Sequence, residues 1–146
     1  MITIIVGTET GTAEYVADEI LELLEQHQLN AEQTLTVDPN QLINSTTWLI
    51  CTSTHGAGDV PNNLHVFQHW LTQSDIDLSE VNFGVIALGD SSYDTFCQAG
   101  EKLRADILKL GATEIFPIIK IDAMDDELPE EIALEKLKNY VTQLKN

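Results

Sequence analysis

Between Gly7 and Glu14 the chain reads G-T-E-T-G-T-A-E, with hydroxyls at Thr8, Thr10 and Thr12 and a second glycine at Gly11. Threonine hydroxyls donate hydrogen bonds, and a glycine lets the backbone curl until its amides point inward, so this turn is suited to an anion. A helical pattern begins at Ala13, and the helix N-terminus adds partial positive charge at the same place. The chemistry expected is the anchoring of one terminal phosphate. A triphosphate fits poorly, because the G-x-x-x-x-G-K-[ST] pattern and its lysine are missing, as is the G-x-G-x-x-G dinucleotide pattern. An ordinary capped strand-to-helix turn would use the same letters.

Two further stretches carry comparable signals. Ser53 to Pro61 reads S-T-H-G-A-G-D-V-P, with Gly56 and Gly58 two residues apart. Such a backbone either approaches a flat ligand closely or changes conformation. His55 lines the ligand or is simply solvated. Leu88 to Cys97 reads L-G-D-S-S-Y-D-T-F-C, and Tyr93 stands there among small polar residues. An aromatic ring in that setting either stacks on an aromatic ligand or lies as a lid over a helix start.

The elements that must position these loops alternate along the whole chain. Ile2–Val6, Trp48–Cys51 and Phe83–Leu88 are short, nearly all-apolar runs, the pattern of strands buried on both faces. Gln33–Val37 predicts a weaker strand, ended by Asp38-Pro39-Asn40, and Ile115–Ile121 another, which Pro117 assigns to an edge or a bulge. Between them, helical spacing predicts helices through Ala13, Val16, Ala17, Ile20, Leu23 and Leu24, through Leu64, Phe67, Trp70 and Leu71, and through Leu103, Ile107 and Leu110, with Gly111 as a stop. A last helix follows Ile132, Leu134, Leu137, Val141 and Leu144, while residues 38–46 hold only a turn or two. Five strands alternating with helices imply an α/β doubly wound parallel sheet with helices on both faces. Ligands bind such sheets beyond the carboxyl ends of the strands, where the strand order reverses. The three unusual loops all leave the most apolar strands, so they should sit side by side.

Composition narrows the partners. The chain has 146 residues, 43% of them hydrophobic, which suits a single domain spanning 1–146 with a full core. No apolar run is long enough to cross a bilayer, and no secretory leader pattern is visible. Cys51 and Cys97 form no disulfide framework, so a reducing, cytoplasmic setting is the expectation. With 24 acidic against 7 basic residues the net charge is −17. Such a surface repels nucleic acid and anionic membranes. It attracts a basic protein partner, or is merely a well-solvated surface.

The segments T-E-T-G-T-A, S-T-H-G-A-G-D and L-G-D-S-S-Y-D-T-F-C resemble the three FMN-binding loops of short-chain flavodoxins and of the FMN domains of diflavin reductases such as sulfite reductase. They are most similar to the MioC group of small flavodoxin-like proteins, and the resemblance spans essentially the whole chain. It implies a five-stranded sheet of order 2-1-3-4-5. It implies that Thr8, Glu9, Thr10, Gly11, Thr12 and Ala13 wrap the FMN phosphate, Glu9 through its backbone. Ser53, Thr54, His55, Gly56, Ala57 and Gly58 would line one side of the isoalloxazine ring, and Tyr93 would stack on the other. Leu88, Gly89 and Phe96 belong to the third loop. Asp90 and Cys97 would contact the pyrimidine edge, partly through backbone groups. One departure stands out: many flavodoxins have tryptophan where this chain has His55, whose smaller ring stacks less well.

The function implied is that of a monomeric electron carrier with no catalytic residues and no metal, taking single electrons from a basic flavin reductase to a basic acceptor enzyme. A neutral semiquinone would donate its ring N–H to a carbonyl near Gly56. Asp59, Asp90 and Asp94, with Asp122, Asp125, Asp126 and Glu127, would ring the site and disfavour the fully reduced anion. The main alternative is a free-standing FMN-dependent reductase of small substrates. A receiver domain shares the topology, but Gly7-Thr8 and Thr52-Ser53 occupy the places where it needs carboxylates. His65 and His69, four apart on one helix, read more simply as a solvated face than as a metal site.

Overall fold

The structure, a computed structural model, describes residues 1–73 and 75–145. Its strands are β1 (Ile2–Gly7), β2 (Ala31–Thr34), β3 (Thr47–Thr52), β4 (Asn82–Gly89), β5 (Thr113–Glu114) and β6 (Ile119–Asp122). The helices are α1 (Thr12–Gln26), α2 (Pro39–Leu42), α3 (His65–Gln73), α4 (Gln98–Lys109), α5 (Pro129–Leu137) and α6 (Val141–Leu144). The sheet runs β2-β1-β3-β4-β5, with β6 also paired to β4, and the strand pairings are all parallel. This is the doubly wound order that the alternation and the loop resemblance lead one to expect.

The last strand differs from its expected form. It is split into β5, which pairs with Asn82 and Phe83, and β6, which pairs with residues Ile86 to Gly89. Phe116 and Pro117 lie in the gap. Pro117 has no N–H for the ladder. Phe116 turns inward over Gly84, where an added Cβ would come within 2.1 Å of the ring, and stacks on Tyr140 at 5.0 Å. The weak strand is also shifted, to Ala31–Thr34 instead of 33–37. Local hydrogen bonding ends it: the Thr34 hydroxyl donates to the Thr36 carbonyl and accepts from the Thr36 amide. α2 is a single turn, started by the Asp38 carboxylate accepting from Asn40 N–H at 3.0 Å.

β1 and β3 are buried along their whole length, as continuous apolar strands between two helical layers must be. On one face, Ile4, Val6, Leu49 and Ile86 pack with the apolar sides of α1, α5 and α6. On the other, Ile5, Trp48, Ile50, Phe83 and Val85 pack with α3 and α4. α4 lies close on the sheet because Gly100 has no side chain: a Cβ there would stand 2.5 Å from that of Ala87. Among the described residues no helix is long and apolar enough to cross a membrane.

The two cysteines are free and fully buried. Burial pushes the Cys51 thiol up to about 12 and the Cys97 thiol up to about 11. Neither forms the reactive thiolate near neutral pH. Iodoacetamide at pH about 8 should leave both unmodified in the native protein and label both in urea. Mass spectrometry reads this directly, and prompt native labelling would contradict the burial.

Candidate functional site

The chain passes from β1 to β2 on one side and then returns to β3 on the other, so the sheet order reverses between β1 and β3. A cavity of about 560 Å³ opens beyond the carboxyl ends there. That volume is typical of a small-molecule site. Its walls come from the loops after β1, β3, β4 and β6, in the order in which those strands stand in the sheet.

The first loop is built by its own hydrogen bonds. Thr8 N–H donates to Asn63 Oδ1 at 3.0 Å, and Gly11 N–H donates to Thr8 Oγ1 at 2.8 Å. Gly11 takes φ of 97°, a left-handed value that favours glycine, and immediately precedes α1. Thr10 and Thr12, on either side of it, line the cavity. Thr8, Glu9, Gly11 and Ala13 are not in the wall. Ala13 is in the core, and its carbonyl accepts from the Cys51 thiol at 3.5 Å. The Glu9 carboxylate reaches across to the second loop, accepting from Asn62 N–H at 2.7 Å and lying 3.7 Å from His55 Nδ1.

In the second loop Ser53, Thr54 and Gly56 face the cavity. Ser53 is held by its amide, 2.9 Å from the Gly7 carbonyl, and the Thr54 hydroxyl donates to Leu88 O at 3.3 Å. Beyond them the chain makes a tight turn: His55 N–H donates to Asp59 O, while His55 O accepts from Gly58 and Asp59. Gly56 and Gly58 take φ of 49° and 101° to close it. The His55 ring points to Glu9 and is outside the cavity lining, as are Ala57 and Gly58. Gly58 packs against Gln98 instead, and Asp59 lies 3.8 Å from Lys102.

The third loop supplies the apolar wall: Leu88, Gly89, Asp90, Tyr93, Thr95 and Phe96 all line the cavity. Tyr93 is 65% exposed, which leaves its ring open at the cavity rim. Asp90 is occupied locally, accepting from the Ser92 amide at 2.9 Å and hydroxyl at 2.6 Å. Cys97 ends the loop with φ of 56°. Its thiol is turned away, donating to Ala87 O at 3.3 Å, while its amide makes no hydrogen bond to another described residue.

The remaining wall, Ile121, Ala123 and Pro129, was not foreseen, nor was Thr95. Because β6 pairs with β4, its carboxyl end opens onto the same edge. The sequence signal for them is the carboxyl end of the last apolar run, at Ile121. The segment after β6 is tied to the third loop: Ala123 N–H donates to Gly89 O at 2.8 Å, and Asp122 Oδ1 accepts from Ser91 N–H and Met124 N–H, both at 3.0 Å. The exposed carboxylates Asp125, Asp126 and Glu127 therefore follow directly from the cavity's edge.

The Ser91 side chain, then the Met124 and Ser91 amides, hold the Asp122 carboxyl below its ordinary 3.8. A carboxyl lowered in the folded state adds stability that is complete above its unfolded value and lost as pH falls through the folded one. As pH drops below about 4, native protein should therefore lose more stability than Asp122→Asn does. Parallel acid titrations by circular dichroism check this; identical acid curves would contradict it.

Among the described residues no group of three or more histidine, cysteine or carboxylate side chains is placed to hold a metal. His65 Nε2 lies 2.8 Å from Val60 O, which accounts for that ring. The donors of the cavity are instead threonine and serine hydroxyls toward β1 and β3, with an aromatic and apolar wall toward β4 and β6. This set fits an anionic group at one end and a flat aromatic system at the other. The open faces of Gly11 and Gly56, where an added Cβ would meet nothing within 4 Å, and the Cys97 amide, without a hydrogen-bond partner among the described residues, leave backbone available to it.

Comparison with known proteins gives a consistent picture. The family profile described as Flavodoxin matches residues 4–135. Protein MioC of Escherichia coli K12 is 42% identical over 144 residues, covering 99% of this chain and 98% of that protein. The sulfite reductase [NADPH] flavoprotein alpha-component of Bacillus subtilis is 36% identical over 129 residues, 86% of this chain but 21% of that longer protein. Among solved structures, a cysteine-to-alanine variant of flavodoxin from Pseudomonas aeruginosa superposes with a TM-score of 0.90 at 33% identity, covering 99% of both chains.

Proposed function

The chain belongs to the flavodoxin family, whose members are FMN-binding electron carriers, and from that premise we propose that it binds one FMN in this cavity. It carries electrons one at a time from a basic flavin reductase to a basic acceptor enzyme. The observation that carries the reading is the cavity itself: hydroxyls without a cation at the end next to α1, and Tyr93 and Phe96 at the other.

Bound FMN supplies reversible one- and two-electron chemistry, and the protein sets where and how easily it occurs. Thr10 and Thr12, with the amides at the start of α1, would hold the phosphate. Ser53 and Thr54 would flank the flavin, Tyr93 would cover its ring, and Asp90 and the Cys97 amide would face its polar edge. Gly56 has an open face and no side chain, so its peptide could turn its carbonyl toward a bound flavin at little cost. The carboxylates of Asp59, Asp90, Asp94 and Asp122 would oppose added negative charge on the ring, each weakly because solvent screens it.

The net charge of −17 attracts basic partners and speeds their encounter. Reduction by an added flavin reductase should slow steadily as ionic strength rises, and an indifferent rate would contradict electrostatic docking. A carrier turns over only when such a reductase is supplied. Steady reduction of a small substrate with NADPH alone would identify a free-standing reductase instead.

A further inference from the structure

Asn63 lies outside the cavity, yet its side chain uses its acceptor and its amide donor at the root of the first loop. Its Oδ1 accepts from Thr8 N–H at 3.0 Å. Its Nδ2 donates to Val6 O at 2.7 Å and to Leu35 O at 2.8 Å. The ladder between β1 and β2 ends at Ile5 and Thr34. Val6 and Leu35 are the next residues, where the two strands diverge, and Asn63 closes the gap between them. The two carbonyls and the one amide also fix which way the side-chain amide faces.

From this point a chain of contacts leads to the anion end of the cavity. Asn63 holds the Thr8 backbone. The Thr8 hydroxyl holds the Gly11 amide at 2.8 Å, and Gly11 O accepts Tyr15 N–H at 3.0 Å, opening α1. Thr10 and Thr12 are carried on this frame into the cavity. A second link runs in parallel, from Asn62 N–H to the Glu9 carboxylate at 2.7 Å. Two adjacent asparagines thus fasten two adjacent residues of the first loop. The loop has no lysine or arginine to draw in a phosphate, so its affinity depends on hydroxyls and amides already being in place.

We propose that Asn63 is a positioning residue that holds the Thr8–Thr12 loop in its anion-receiving form before ligand arrives, and thereby sets the preference for phosphorylated flavin over flavin without phosphate. The inference rests on the FMN reading above. Removing the side chain leaves Thr8 N–H and two carbonyls without their partner, and ligand binding must then order the loop.

The test titrates flavin-free native protein, Asn63→Ala and the milder Asn63→Ser with FMN and with riboflavin. In both variants FMN affinity should fall about tenfold, the effect of losing one half-buried hydrogen-bonding group, while riboflavin affinity stays within about twofold. Without any flavin, hydrogen exchange at the Thr8 amide should speed up by about tenfold or more in both variants. A purely architectural role for Asn63 would weaken both flavins equally. An unchanged FMN-to-riboflavin ratio alongside tight native FMN binding overturns this inference alone. Native protein that binds neither flavin overturns the FMN reading and this inference with it.

Discussion

Gly89→Ala should lower stability by about 1–3 kcal/mol and weaken FMN binding by about tenfold or more. Gly89 ends β4 and lines the cavity. A methyl group there would stand 2.6 Å from the Cys97 backbone nitrogen, 3.0 Å from Phe96 Cδ1 and 3.1 Å from Cys97 Sγ. The nearest atom is backbone, so no rotamer change relieves the clash. Cys97 already takes left-handed φ at the entrance to α4, and its thiol is fastened to Ala87 O. The loop carrying Tyr93 and Phe96 must therefore lift from the strand. Gly89 O also holds Ala123 N–H, so the wall beyond β6 moves too. Urea denaturation and FMN titration measure the two effects. Native-like affinity in the alanine variant would show that the third loop does not depend on this close approach.

Trp48→Ala should cost about 3–5 kcal/mol yet change FMN affinity by less than about threefold wherever the variant is folded. Trp48 is fully buried near the amino end of β3, away from the cavity. Its ring meets Phe67 edge-on at 6.1 Å and Trp70 at 6.4 Å, and its indole N–H donates to Ser45 O at 3.2 Å. Deleting it empties the centre of the face under α3 and α4. A typical domain has about 5–15 kcal/mol in total, so the loss is severe. The contrast between the two substitutions separates stability from site geometry. A Trp48 variant that folds but binds FMN as poorly as the Gly89 variant would show that the two are not separable.

The sheet was legible because β1, β3 and β4 are buried on both faces and must be apolar without interruption. The same burial put three signature loops on one edge. What the letters did not disclose is set by contacts distant in sequence. Phe116 packs over Gly84 and breaks the last strand, and β6 then delivers Ile121 and Ala123 to the cavity. Asn63 lies two residues after Pro61, with nothing local to show that its partners are Val6, Thr8 and Leu35. His55 illustrates the limit within a motif. Nothing local in the letters places its ring beside Glu9, a residue of another loop.

The most direct measurement is a fluorescence titration of FMN with flavin-free protein. The account predicts quenching that saturates at one FMN per chain, with riboflavin bound more weakly because the loop around Gly11 then has no phosphate to hold. FMN fluorescence that does not change on adding excess folded protein, or FAD or riboflavin bound more tightly than FMN, would contradict it.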